Sequence, residues 1–184
     1  LGPSGTFSEE ATIKHFGENV KSISTSSIDE VFNNVQSKKV HYGVVPIENS
    51  TEGGISRTLD LLLMKDLKIC GEITLPVHHC LISKSKELKK ITSIYAHGQS
   101  LAQCHDWIAN NLPNAEKITV LSNAEGAKIA SKEKHSAAIA SSRAASIFRL
   151  NVLQNHIEDE PNNTTRFLIL SDQEISPSGN DKTS

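Results

Sequence analysis

Apolar residues along this 184-residue chain alternate between helical and extended spacing, which predicts an α/β layer architecture. Ile28, Val31, Phe32 and Val35 recur every three or four positions, the stripe of an amphipathic helix behind a Ser26-Ser27 cap. Tyr42–Ile47 reads as a short strand, and Ile55, Leu59, Leu62 and Leu63 as the face of a further helix. Leu67–Cys70 and Cys80–Ile82 are extended apolar runs. The second half repeats this order: strand Ile94–Ala96, a helix carrying Leu101, Cys104, Trp107 and Ile108, a strand near Ile118–Leu121, a helix over Asn123–Lys132, and strand Ser136–Ala140. Gly5 and Gly98 lie 93 positions apart, as do Gly43 and Ser136, so a loop and a buried strand recur at one offset. Two similar lobes around a cleft are expected. Lobe 1 spans 1–76 plus a return segment, 159–174, whose strand is Arg166–Leu170; lobe 2 spans 77–158; and 175–184 is a polar linker. The opening at Leu1, without methionine, reads as the interior of a strand and as part of a longer protein.

Composition narrows the partners. A formal net charge of −2 and a pI near 6.5 argue against nucleic acid or an anionic membrane surface, and 4% aromatic residues offer few platforms for stacking bases. No apolar run approaches the ~20 residues that span a bilayer. Cys70, Cys80 and Cys104 form an odd set without C-x-x-C spacing, which reads as reduced thiols in an intracellular protein.

Four polar loops stand where strands meet helices. Gly2–Glu10 brings Thr6 and Ser8 to a helix start, where backbone N–H groups attract anions; an ordinary N-cap reads equally well. Pro46–Gly54 carries Glu48, Asn49, Ser50 and Gly53, denser in polar groups than a turn requires. Its carboxylate and amide could orient a ligand, or Glu48 could simply be solvated. Ala96–Cys104 offers His97, Gln99 and Gln103, and Asn163–Phe167 sets an amide, two hydroxyls and Arg166 at the mouth of an apolar strand. Adjacent side chains of His78-His79-Cys80 point to opposite faces of a strand, so no metal is expected. Cys104-His105 cannot form a nucleophile–base pair in a helix, and no nucleophile-elbow or phosphate-loop motif occurs. The residues alone describe a two-lobed anion-binding protein and leave enzyme and binding module open.

The segments GPSGTFS (2–8), GVVPIENSTEGG (43–54), ICGEI with HHCLI, HGQSLAQC and NNTTRFLIL stand in one order. Phe148, Leu150, Leu153, Asp159 and Thr165–Leu170 match a C-terminal signature in spacing. Over about residues 1–171 the chain resembles the prephenate dehydratase family. The resemblance implies two α/β subdomains like those of type II periplasmic binding proteins. It implies conversion of prephenate to phenylpyruvate, carbon dioxide and water in cytoplasmic L-phenylalanine biosynthesis, without metal or organic cofactor. Thr165 would be the essential threonine, with Asn49 and Gln103 catalytic beside it. Thr6, Ser8, Glu48, Ser50, Gly53 and Arg166 would bind substrate, Arg166 either clamping a carboxylate or bracing the fold. Ala96 and Gly98 depart from the family's usual Ser-His-Pro-Gln loop. Lys182-Thr183-Ser184 resembles the opening of a phenylalanine-sensing ACT domain, so weak feedback inhibition is expected of this chain, and a homo-oligomer of the full-length protein. Arogenate dehydratase and a non-catalytic small-anion binding module are the alternatives.

Overall fold

The computed structural model describes residues 1–173 and contains two sheets, each sandwiched between helices. The linker and the Lys182-Thr183-Ser184 run lie outside the described residues.

The first sheet has the order β2-β1-β9-β3, with β1 at Gly43–Asn49, β2 at Gly53–Gly54, β3 at Lys68–Pro76 and β9 at Thr164–Ser171. All its pairs are antiparallel. Central β9 carries an unbroken apolar run, Phe167–Leu170, because both its faces are covered there. Leu168 and Leu170 pack with Val45 and Ile47 against Val31, Phe32 and Val35 of α2 (Ile28–Gln36) and Leu61 of α3 (Ser56–Met64). Phe167 and Ile169 face the other way, onto Ala11 of α1 (Phe7–Phe16), with Val44, Ile73 and Leu75.

The second sheet runs β6-β5-β7-β4-β8, with β4 at Cys80–Ser83, β5 at Ser93–Ala96, β6 at Glu116–Thr119, β7 at Ser136–Ala140 and β8 at Asn151–Gln154. Strand β5 is parallel to β6 and β7, while β4 is antiparallel to β7 and β8. Every residue of β7 is buried. Ala137 and Ile139 meet Cys104 and Ile108 on one face; Ala138 and Ala140 meet Ala127, Ala130, Ala144 and Ala145 on the other. These alanines let α6 (Asn123–Ala130) and α7 (Ser142–Phe148) lie close to the sheet. A Cβ on Gly126 would stand 2.7 Å from the Tyr95 carbonyl oxygen.

Two adjacent crossings join the lobes, and the Val77 N–H donates to the Asn163 carbonyl across them at 2.8 Å.

Several sequence expectations change in detail. The helix expected over Leu101–Ile108 is broken at Cys104 (φ −120°, ψ 20°) into α4 (Gly98–Gln103) and α5 (His105–Asn111). The cause is remote in sequence: the Asp159 carboxylate accepts the Asp106 and Trp107 N–H groups at 3.1 and 3.2 Å, capping a second helix start. In α3 the buried residues are Thr58 and Leu61, while Leu59 and Leu63 face solvent. The Thr58 hydroxyl donates to the Pro46 carbonyl at 2.7 Å, which sets that face inward. Leu1 and Gly2 are not in a strand; the Gly2 N–H makes one backbone bond to Thr25. Helix α7 and β8 had no clear periodic signal.

Candidate active site

A cavity of about 230 Å³ opens between the lobes. That is smaller than the roughly 300–1,000 Å³ of sites for drug-sized ligands, and suits a compact molecule. From lobe 1 it is lined by Thr6, Asn49 and Thr165; from lobe 2 by His79, His97, Gln99, Gln103, Ser122, Asn123 and Ser141. A larger, mainly apolar cavity of about 530 Å³ lies between residues 20–25 and α2, and none of the predicted site residues lines it.

Asn49, at the end of β1, sits opposite Thr165 in β9. Its Nδ2 donates to Thr165 Oγ1 at 2.9 Å and to Asn163 Oδ1 at 2.8 Å. Its Oδ1 accepts the Thr51 and Glu52 N–H groups at 3.0 and 3.3 Å, so the amide is fixed at both ends. The Asn49 amide donates to Thr165, so the threonine oxygen acts there as acceptor. Its own hydrogen goes to no acceptor among the described residues and is available to a ligand.

Gln103 approaches from the other lobe. Its Oε1 can only accept, so His79 Nε2, 2.9 Å away, must carry the hydrogen of that bond. The buried Gln103 Nε2 has no protein partner, a donor left for whatever occupies the cavity. Burial lowers the His79 pKa from its ordinary 6.5, against opposing help from Gln103, and keeps this imidazole neutral at pH 7. Phe7 meets the His79 ring edge-on, with centroids 5.9 Å apart.

Helix starts complete the wall. Thr6 caps α1 and Ser122 caps α6, each accepting an N–H of the first turn. Their partial positive ends favour an anion. Gly5, with φ +93°, lets the α1 loop approach the other lobe; a Cβ there would stand 3.3 Å from Ala144 Cβ. The Asn123 side chain accepts the His97 N–H at 2.9 Å and donates to Ser100 Oγ at 2.7 Å, tying two loops together. Among the described residues lining the cavity there is no Lys, Arg, Asp or Glu. Cys104 is fully buried with its thiol pKa raised by burial, so no thiolate nucleophile is available from it.

Of the nine residues given a catalytic or substrate-binding role in sequence, Thr165, Asn49, Gln103 and Thr6 meet in the cavity, where His97 and Gln99 of the second-lobe loop join them. The other five do not line it. Arg166, which sequence offered as a carboxylate clamp, follows Thr165 on a strand and points to the opposite face, 3.7 Å from an exposed Glu48. Glu48 is accordingly solvated. Ser50 staples β1 to β9: its N–H donates to the Thr164 carbonyl and its Oγ accepts the Thr164 N–H, both at 2.9 Å. Gly53 is exposed in the turn at φ +85°, and Ser8 is buried in α1. Ala96 is fully buried at the end of β5 and does not line the cavity. Sequence reasoning gave no site role to His79, Ser122 or Ser141. Ser141 follows β7 and caps α7 by accepting the Ala144 N–H, a strand-to-helix position that could have signalled it.

Fold and site together define a two-lobed α/β protein with a compact polar cleft supplied by both lobes. A family model described as prephenate dehydratase matches residues 1–175, and the chain belongs to that family. It is 50% identical over 185 residues to a bifunctional chorismate mutase/prephenate dehydratase of Pseudomonas aeruginosa, covering 100% of this chain and 51% of that protein. It is 37% identical over 179 residues to arogenate dehydratase 3 of Arabidopsis thaliana, covering 96% and 42% respectively. Among solved structures, a prephenate dehydratase from Arthrobacter aurescens in complex with L-Phe superposes with a TM-score of 0.89 at 33% identity, over 100% of this chain and 61% of that one. The chain spans about half the length of the curated relatives it matches. No helix among the described residues is long and apolar enough to cross a membrane.

Proposed function

We propose that this chain catalyses the decarboxylating dehydration of prephenate to phenylpyruvate, carbon dioxide and water. The observation that carries the reading is the Asn49–Thr165 pair, which leaves one hydroxyl hydrogen for a ligand opposite the unpartnered Gln103 amide. In the reaction the bond from the ring to its carboxylate breaks and its electron pair enters the ring. The C–O bond at the 4-position breaks in turn, and the departing hydroxide takes up a proton to become water. Aromatisation drives both cleavages, so neither a strong base nor a covalent nucleophile is required.

Thr165 donates a hydrogen bond or proton to the leaving oxygen as charge develops there. Such general-acid help is worth roughly 10²–10⁴-fold. The Asn49 donation to Thr165 Oγ1 polarises that hydroxyl and makes it a better donor. Gln103, aligned by neutral His79, donates to the substrate from the other lobe. The ends of α1 and α6 favour its negative charges without a cation that would bind the departing carboxylate too firmly. Lobe closure about the Val77–Asn163 crossings would exclude water from the reacting centre.

Arogenate carries an ammonium group where prephenate has a keto group. The cleft presents no carboxylate to pair with that ammonium among the described residues, which favours prephenate. The test follows phenylpyruvate from prephenate and phenylalanine from arogenate in parallel at neutral pH. A higher kcat/KM for prephenate supports the reading. A preference for arogenate, or binding of prephenate without turnover, would overturn it.

A further inference from the structure

On the outer side of the wall that carries His79, three side chains from distant parts of the chain converge. His78 Nδ1 lies 2.7 Å from Glu158 Oε1, His156 Nδ1 lies 3.4 Å from the same oxygen, and the two Nδ1 atoms are 3.1 Å apart. We propose that His78, His156 and Glu158 form a binding site for a divalent cation of the zinc type, with two imidazoles and one carboxylate as ligands and solvent in the fourth position.

The spacing fits a metal. Ligands bound tetrahedrally to zinc at about 2.0–2.1 Å are separated by roughly 3.3 Å. Two of the three observed separations lie close to that value, and the third needs to open by a fraction of an ångström. Two imidazole nitrogens at 3.1 Å cannot present lone pairs to each other; a proton or a cation has to stand between them. With each ring hydrogen on Nε2, both Nδ1 lone pairs and Glu158 Oε1 are free to ligate, and the three atoms lie within 3.4 Å of one another. An N₂O set of this kind suits zinc and its neighbours in the transition series, and not magnesium or calcium.

The support behind the ligands is also in place. The His79 N–H donates to Glu158 Oε2 at 2.9 Å, which orients the carboxylate and leaves Oε1 for the histidines. The adjacent Ile157 N–H pairs with the His79 carbonyl at 3.0 Å and fixes the segment against residues 78–80. His156 adopts a left-handed backbone (φ 52°), which brings its ring edge-on to His78 with centroids 4.3 Å apart. The Glu158 side chain is only 3% exposed, whereas His78 and His156 are 40% and 64% exposed, so a cation reaches an anchored carboxylate directly from solvent. His78 and His79 lie between β3 and β4, outside both strands, and their side chains part to separate two tasks: His79 lines the cleft and His78 is open to solvent.

The test is Zn²⁺ titration by calorimetry at neutral pH, with Co²⁺ absorption as a report of coordination. The proteins are the parent chain, His156→Ala, His78→Ala and, as a control away from the cluster, His135→Ala. One equivalent of Zn²⁺ should bind, with a Co²⁺ spectrum of low coordination number. Loss of an outer-shell partner alone costs about 10–100-fold in affinity, so each cluster variant should weaken binding at least about tenfold. His135→Ala should match the parent. Absence of one-equivalent binding, or binding that both cluster variants leave unchanged, would overturn the proposal and leave a hydrogen-bonded cluster that shares a proton.

Discussion

Asn49→Asp keeps the shape of the side chain and reverses one hydrogen bond. The carboxylate still accepts the Thr51 and Glu52 N–H groups that shape the turn. Toward Asn163 and Thr165, however, it replaces a donor at 2.8 and 2.9 Å by an acceptor. Asn163 can turn its amide over and donate instead, so the folding cost stays near 1 kcal/mol, the worth of a typical net hydrogen bond. Thr165 has no such escape: its single hydrogen swings to the new carboxylate. Hydrogen bonds to charged groups are worth about 1.5–3 kcal/mol, and this one must be broken before the hydroxyl can serve the substrate. At 1.36 kcal/mol per factor of ten, kcat should fall by about 10- to 150-fold, with a rise in KM from repulsion of a dianionic substrate. The assay is phenylpyruvate formation from prephenate beside thermal melts of both proteins. In a Thr165→Val background the same change should cost kcat far less, because the hydrogen it withdraws is already gone. Full activity in Asn49→Asp, or additive losses in the double variant, would refute the proposed direction of the Asn49–Thr165 bond.

Three further predictions test other parts of the account. Gly126→Ala places a methyl against the Tyr95 backbone carbonyl, which cannot rotate aside. An overpacking cost of about 1–3 kcal/mol should outweigh the ~1 kcal/mol gain in helix propensity, and a raised Tm would contradict the close packing of α6. Arg166→Gln should leave kcat near that of the parent and cost less than about 1 kcal/mol, because an exposed pair with Glu48 contributes little; a large loss of prephenate affinity would restore the clamp role. Burial pushes the Glu9 carboxyl pKa up, but the Gly5 N–H, Ser4 and Arg143 outweigh it and hold the group below its ordinary 4.5. The stabilisation is therefore complete above that value and lost as pH falls through the lowered one. Melts of the parent and Glu9→Gln should differ by a constant amount near neutrality and converge in acid, and a gap that widens in acid would be inconsistent.

What could be read from sequence follows the range of the forces involved. Strand β9 and helix α2 were legible because their own apolar spacing determines which residues they bury. The buried face of α3 was not, because the Thr58 hydroxyl selects it through a carbonyl twelve positions away. The break at Cys104 depends on an Asp159 carboxylate 53 positions beyond the N–H it caps. The candidate site divides in the same way. Thr165, Asn49 and Gln103 stand at element ends, where polar residues are conspicuous against apolar neighbours. His79 acquires its place from Gln103, 24 positions later, and in the sequence it shows only as the middle of an apparent metal cluster. The grouping of His78 with His156 and Glu158 was not legible, and no metal was expected at His78, because the three meet only through two crossings that no local pattern predicts.

In the proposed reaction the Thr165 hydroxyl assists departure of the leaving oxygen. The most direct test is kcat on prephenate for Thr165→Val beside Thr165→Ser, with melts showing that both fold. Valine should lose roughly 10²–10⁴-fold while serine, which retains the hydroxyl, keeps most of the turnover. Near-parental turnover by a folded valine variant would contradict the account.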